Sequence, residues 1–294
     1  MVEVNDEGLR ERGVVPGSVI EAIDGEDVTD FAAREVAPFI SASTPQDRDN
    51  RVYGNFLFAG PVGTKVNLMV RGIDDREFEV EGERILGWSN RPDPVTWRRE
   101  GDIGVIAINT FDGSAPVREE LEKALEELSD TTGLILDIRA NGGGNSGWWV
   151  MRYFVDSYTT SSWKTRRYLP AYRAWQRKLV WHETAGSERA GLPEDQRYPG
   201  PVALLTSART YSAAEDLALV FDASGVGPIV GQTTGGSTGQ PLPFRLPGGG
   251  RARICSKRDM RPDGSDWVGY GIRPDIEIEP TLADVRAGRD PVLE

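Results

Sequence analysis

Hydrophobic positions along this chain fall into two regimes. From Gly13 to Val80 they come as short β-rich runs bounded by turn residues. Pro16-Gly17 and Asp24-Gly25 flank the run Val19 to Ile23, and beyond Gly63 the residues Val66, Leu68 and Val70 alternate with polar ones. A period of two marks a strand with one buried face. Phe78 and Val80 begin another strand, while Phe31 to Phe39 predicts a helix with Asp30 as its N-cap. Ser41 to Asn50 is polar and predicts a loop. The expected unit, residues 1–87, is a small β-rich module.

After the connector Trp88 to Glu100 the pattern changes. Ile103 to Thr110 predicts a strand, and Ser114 to Ser129 a helix, with Ser114 as N-cap, Pro116 in the first turn and Val117, Leu121, Leu125 and Leu128 at helical spacing. Gly133 to Ile138 is an apolar strand of the kind found where both faces of a sheet are covered. Pro201 to Leu205 repeats it and runs into a helical stretch, Ser212 to Phe221, before a third buried strand, Val226 to Val230. Strand-helix-strand alternation predicts an α/β fold, layered around a largely parallel sheet, over residues 88–294. Within it, residues 155–200 read as an insertion or a helical arm, carrying Trp163, Tyr168, Tyr172, Trp175, Trp181 and His182.

Composition narrows the chemistry. Of 294 residues 38% are hydrophobic and 27% charged, which fits a globular protein with a sizeable core. The net charge of −12 disfavours nucleic acid and anionic lipid as partners. No apolar run approaches a membrane span, and no signal segment follows Met1. A single cysteine, Cys255, excludes an intrachain disulfide and a multi-thiolate metal site, and a single histidine, His182, excludes a multi-histidine one, so no metal or cofactor is expected. Cys255 itself reads as a buried small hydrophobe. Missing disulfides leave the compartment open, with a bacterial periplasmic or secreted location favoured over the cytoplasm.

Two loops carry the candidate chemistry. Asp137-Ile-Arg-Ala-Asn-Gly-Gly-Gly-Asn-Ser-Gly147 lies at the C-terminal end of a buried strand, where ligands gather in open α/β sheets. Its three glycines allow a tight turn with exposed N–H groups, suited to an anion or an oxyanion. The second, Leu205-Thr-Ser-Ala-Arg-Thr-Tyr-Ser-Ala-Ala-Glu215, leads a strand into a helix. A serine there sits at the positive end of the helix dipole beside unpaired N–H groups. Taken alone, Ser207, Thr210 or Ser212 reads as a helix cap.

Together the two loops resemble the carboxyl-terminal processing (tail-specific) serine peptidases. Asp137-Ile-Arg-Ala-Asn-Gly-Gly-Gly is similar to that family's strand-end signature, and Thr206 to Glu215 to its nucleophile segment. Gly231-Gln-Thr-Thr-Gly-Gly and the closing Gly271-Ile-Arg-Pro-Asp-Ile276 follow in the family's order. Pro16-Gly17 with Ile23-Asp-Gly25 is similar to the PDZ-like module these peptidases carry. The resemblance implies a ClpP/crotonase-like layered core with Ser212 as nucleophile. It implies an oxyanion hole from the N–H of Ala213 and that of Gly143 or Gly144, with Glu215 as a supporting residue.

The general base departs from the pattern. The lysine-dependent branch of the family places a lysine 25 residues beyond the nucleophile, where this chain has Ser237. The tricorn-like and retinoid-binding-protein-like branch, which the chain resembles more closely, lacks that lysine and takes a histidine from upstream of the PDZ-like module. This sequence begins at that module, and the matching positions leave the base unassigned. His182 remains a minor candidate in the arm, and Lys257 and Lys178 lesser ones; Glu215 reads more readily as electrostatic support for the helix start. The expected activity is a serine peptidase acting on peptide or protein substrates, with activated esters turned over as well and oligomerisation left open. Two rivals remain: a family member that binds peptides or hydrophobic ligands without turnover, and a crotonase-like acyl-CoA enzyme.

Overall fold

The computed structural model describes residues 6–85, 92–166 and 181–294, and divides the chain into two compact units. The first comprises Met1–Arg91 with Ile278–Glu294. After a helical turn α1 (Glu7–Glu11), four antiparallel strands form one sheet in the order β2-β1-β3-β4: β1 (Val19–Ile23), β2 (Glu26–Asp27), β3 (Lys65–Arg71) and β4 (Glu77–Glu83). Val66, Leu68 and Val70 are buried on one face of β3, as their spacing predicts, and meet Ile23, Phe31 and Val80 in the core. Helix α2 (Val28–Phe31) continues as irregular helical turns to Phe39. Its cap is Asp27, not Asp30: the Asp27 carboxylate accepts the N–H groups of Thr29 and Asp30. The polar stretch expected to loop contains helix α3 (Pro45–Asp49), because Thr44 caps it and Pro45 opens it. The C-terminal helix Leu282–Ala287 belongs to this unit; its Arg286 donates to the carbonyls of Gly17 and Gly72.

The second unit, Pro92–Glu277, holds the chemistry. Its strands are β5 (Val95–Glu100), β6 (Ile103–Ile108) and β7 (Gly133–Asp137), with helix α4 (Val117–Glu127) between β6 and β7. Then come β8 (Ser157–Thr159), β9 (Ser162–Arg166), β10 (Trp181–Thr184), β11 (Glu188–Ala190) and β12 (Val202–Thr206). Helix α5 (Ala213–Ser224) and β13 (Ile229–Gly231) precede β14 (Pro241–Arg245), β15 (Arg251–Cys255), β16 (Arg258–Met260) and β17 (Ile276–Glu277).

The central sheet runs β17-β13-β12-β7-β6-β5, parallel except for β5, which pairs antiparallel with β6. Part of the expected connector is therefore an edge strand, turned onto β6 through Gly101, whose φ is 59°. Ile106, Leu136, Leu204 and the buried length of α5 build the core. Helix α4 starts at Val117 with Pro116 as its cap residue; Ser114 instead donates to the Asp112 carboxylate.

The described part of the arm is β-structured, not helical. Here β9 pairs with β10 and β16, and β8 with β11. Aromatic and β-branched residues such as Tyr158, Thr159, Trp163 and Thr165 favour strands. Trp88, Tyr168, Tyr172, Trp175 and Lys178 lie outside the described residues. Cys255 is exposed on β15 rather than buried; β15 pairs only with β14 in a two-stranded ribbon among the described residues. No described helix is long and apolar enough to cross a membrane.

Candidate active site

The site grows from the C-terminal ends of adjacent parallel strands β7 and β12. Where β7 ends, Asp137 accepts two bonds from the Arg139 guanidinium, at 3.0 and 2.7 Å, which stiffens the turn into Asn141-Gly-Gly-Gly144. Where β12 ends, the chain turns through Ser207 to Ser212 into α5. Four hydrogen bonds stitch the two loops: Ile138 N–H to the Leu205 carbonyl, the Ser207 hydroxyl to the Arg139 carbonyl, the Thr210 hydroxyl to the Ile138 carbonyl, and Tyr211 N–H to the Asn141 carbonyl. Ser207 and Thr210 thus spend their hydroxyls on structure.

Ser212 is the cap residue of α5, with φ 53° and ψ −119°. A non-glycine residue held there carries strain of roughly 1–3 kcal/mol, and such strain concentrates at functional sites. A serine on a sharp strand-to-helix turn is how a hydroxyl is presented at a sheet end. Among the described residues no titratable side chain bonds its hydroxyl.

The glycine loop lies directly against it. Gly143 has φ 99°, and a Cβ there would fall 2.7 Å from the Ser212 Cβ and 3.1 Å from the Ala213 nitrogen. Only glycine permits this approach. The Gly143 N–H, however, donates to the Asn141 Oδ1 at 2.8 Å, so it is not the free donor that the resemblance implied. Gly144 alternates with it: the Gly143 carbonyl accepts Phe111 N–H and the Asn145 N–H donates to the Phe111 carbonyl, so the Gly144 N–H faces away from Phe111. Ala213, at the first position of α5, has one of the N–H groups that a helix start leaves unpaired.

Asn141 is the residue the sequence did not single out. Fully buried, it donates its side-chain amide to the Ile108 carbonyl at 2.9 Å, accepts Gly143 N–H, and offers its own carbonyl to Tyr211. It ties β6, the glycine loop and the Ser212 turn together. The signal was present in Asn-Gly-Gly-Gly, where a short amide can satisfy a backbone that turns back on itself.

Glu215 proves to be a hub. Fully buried, its Oε2 accepts the N–H of Ser212 at 2.9 Å and of Ser237 at 3.1 Å, while Oε1 accepts the Thr234 hydroxyl and the Gly236 N–H, both at 2.6 Å. Burial pushes its carboxyl up to about 7 against the lowering effect of these four donors. Thr234 in turn accepts Ile272 N–H, so the Gly271-Ile272 motif braces this hub. Asp275 of that motif receives the Ile229 N–H and fastens β17 to β13.

The structure brings Ser212, Ala213, Gly143, Glu215 and Ser237 together, Ser237 through its backbone. His182 lies exposed on β10, its ring edge-on to Trp163 at 6.5 Å. Lys257 is committed to Asp259, 2.6 Å from its Oδ1. Asp216, on α5 next to Glu215, is pushed up to about 7 by burial and by the nearby Asp259 charge. Among the described residues no cluster of three or more His, Cys, Asp or Glu could hold a metal ion.

Comparison with known proteins matches the family model of peptidase family S41 to residues 102–278. Tricorn protease homolog 1 of Streptomyces coelicolor is 24% identical over 305 residues, covering 99% of this chain and 25% of that protein. The carboxy-terminal-processing protease of Bartonella bacilliformis is 23% identical over 297 residues, covering 99% of this chain and 60% of that one. The solved structure of mature CPAF complexed with lactacystin superposes with a TM-score of 0.69 at 16% identity, over 93% of this chain and 75% of that chain, a likeness of fold. This chain spans 25% and 60% of the lengths of these two curated relatives.

Proposed function

Because this chain belongs to peptidase family S41, we propose that it is a serine peptidase that cleaves peptide or protein substrates through an acyl-enzyme on Ser212. The observation that carries this reading is the strained Ser212 turn pressed against Gly143, with the Ala213 N–H beside it. The Ser212 Oγ forms a bond to the scissile carbonyl carbon, the C–N bond breaks, and the hydroxyl proton ends on the departing amine. The developing oxyanion is met by the N–H groups of Ala213 and Gly144. Each such donor is worth roughly 3 kcal/mol of transition-state stabilisation. Water then releases the acyl group.

The core is read as a ClpP/crotonase-like layered β/α fold. The first unit is read as a PDZ-like module, with its four-stranded antiparallel sheet as support. An edge of that sheet would take an extended peptide as an added strand.

A second reading rests on one observation: among the described residues, no base stands within hydrogen-bond reach of the Ser212 hydroxyl. In that reading the cleft holds peptides without efficient turnover. Treatment with a serine-directed fluorophosphonate, followed by peptide mapping, tests the first. Label on Ser212 supports it, and label on Ser207, Ser146 or Ser237 removes the assignment.

A further inference from the structure

Phe111, Ala115 and Val117, at the entry to α4, and Asn145, Ser146 and Trp149, just past the glycine loop, line an open cavity of about 360 Å³. Phe111 and Trp149 form its aromatic wall, edge to face with centroids 6.4 Å apart. Arg118 lies over the Trp149 ring, its guanidinium carbon 4.6 Å from the centroid. In the same unit Arg99, Arg139, Arg258 and Arg261 are each paired with a carboxylate. Arg118 has no such partner among the described residues, on a chain of net charge −12.

Other donors around the cavity are also uncommitted. The Asn145 side-chain amide makes no hydrogen bond among the described residues, and the buried Ser146 hydroxyl finds none either. Pro116 gives no side-chain acceptor to the first N–H groups of α4, which begins at the cavity wall. Of the two acids there, Asp112 accepts the N–H and hydroxyl of Ser114, neutral donors that leave its charge in place, and Glu119 is the second; Arg118 is the cationic side chain among the lining residues.

The cavity shares its wall with the reacting centre. Gly144 lies flat on Phe111, so close that a Cβ would fall 2.1 Å from the Phe111 carbonyl carbon. Gly147 is wedged between the Ala213 carbonyl and the Phe111 ring; a Cβ would meet them at 2.2 and 2.7 Å. Of the two proposed oxyanion donors, Gly144 thus rests on Phe111 itself and Ala213 reaches it through Gly147.

Resting on the serine-peptidase reading, we propose that this cavity is a carboxylate-binding subsite for the substrate, with Arg118 as its specificity-determining residue. A guanidinium already laid flat on an indole keeps its planar fork available for a carboxylate, and the aromatic wall takes the adjoining apolar part of the peptide. The carboxylate can come from a peptide C-terminus or from a glutamate side chain.

Fluorescein-labelled hexapeptides of one apolar sequence test this by anisotropy with the full chain carrying Ser212→Ala. One peptide ends in a free acid, one has an amide end and an internal Glu, and one has an amide end and Gln. At least one of the first two is expected to bind about tenfold tighter than the third, and which one identifies the carboxylate source. Arg118→Gln should bring the ratio to near one, and Arg118→Lys should restore part of it. Equal binding of all three peptides, or a preference that survives Arg118→Gln, overturns the subsite. Because this readout needs no turnover, failure of Ser212 to take the phosphonate would overturn the peptidase reading separately.

Discussion

The Glu215 carboxylate holds the backbone N–H of Ser212, three residues before it, at 2.9 Å. Its remaining bonds reach the Thr234 hydroxyl and the N–H groups of Gly236 and Ser237, so one buried side chain joins the Ser212 turn to the loop that follows the adjacent strand, β13. Ser212 cannot relax from its strained φ without breaking this bond. In physical terms, Glu215 offsets the strain that presents the hydroxyl.

Glu215→Gln replaces one accepting oxygen by an amide that faces N–H donors. Leaving buried donors unpaired costs about 1–3 kcal/mol. The variant should melt lower, and its second-order rate of phosphonate labelling should fall by roughly ten- to a hundredfold, if the loss falls on turn geometry. A wild-type labelling rate would mean that Glu215 supports only the fold.

The pH dependence of stability follows from the same burial. The Glu215 and Asp216 carboxyls are both raised to about 7, so the folded state holds their protons more tightly than the unfolded chain does. That contribution is complete below the ordinary carboxyl range and is lost as pH rises toward about 7. Urea unfolding midpoints should therefore fall between about pH 4.5 and pH 7. Glu215→Gln or Asp216→Asn should flatten the slope, read from midpoints at the two pH values. A midpoint that rises through this window would contradict the raised values.

How much of this was legible in the sequence depended on how local each signal was. The Ser212 turn and the triple glycine stood out because each is a contiguous motif at a strand end. Asn141 did not, because its role depends on Ile108, Gly143 and Tyr211, which only the sheet brings together. The resemblance implies Gly143 or Gly144 as the second donor without separating them. Which of two adjacent glycines is free depends on ladder alternation against Phe111, and this is invisible without the fold. The strands of the arm are hidden in the sequence because its aromatics show no clean period of two, although Trp163 and Tyr158 lie in paired strands. Arg118 looks like any exposed helical arginine until Trp149 is placed beneath it.

Gly143→Ala isolates the close approach. The added methyl needs the space of the Ser212 Cβ, 2.7 Å away, and a φ of 99° that side chains rarely adopt. Gly25 also has positive φ, yet nothing lies within 4 Å of its Cβ position, so Gly25→Ala serves as the control for backbone strain alone. Both variants should lose some stability by calorimetry. Only Gly143→Ala should also lose phosphonate labelling, by about a hundredfold or more. Equal labelling of the two would separate the glycine loop from the chemistry.

Turnover depends on where the Ser212 proton goes. General-base assistance is worth roughly two to four orders of magnitude, and no described side chain supplies it: Lys257 is paired with Asp259, and His182 sits on an exposed strand against Trp163. Activated esters need little proton transfer to their leaving group, whereas a peptide amine must be protonated to depart. The full chain should therefore hydrolyse a p-nitrophenyl ester far faster, by about a hundredfold or more, than a peptide anilide of matched acyl group. His182→Ala should change both rates by less than about twofold, the scatter of an uninvolved surface residue. The Ser237 N–H is held by Glu215, the carboxylate that also holds the Ser212 N–H. Ser237→Lys, if its amine reaches the hydroxyl, should raise the anilide rate more than the ester rate and narrow the ratio. Loss of both activities in His182→Ala with unchanged circular dichroism would instead put the base on β10.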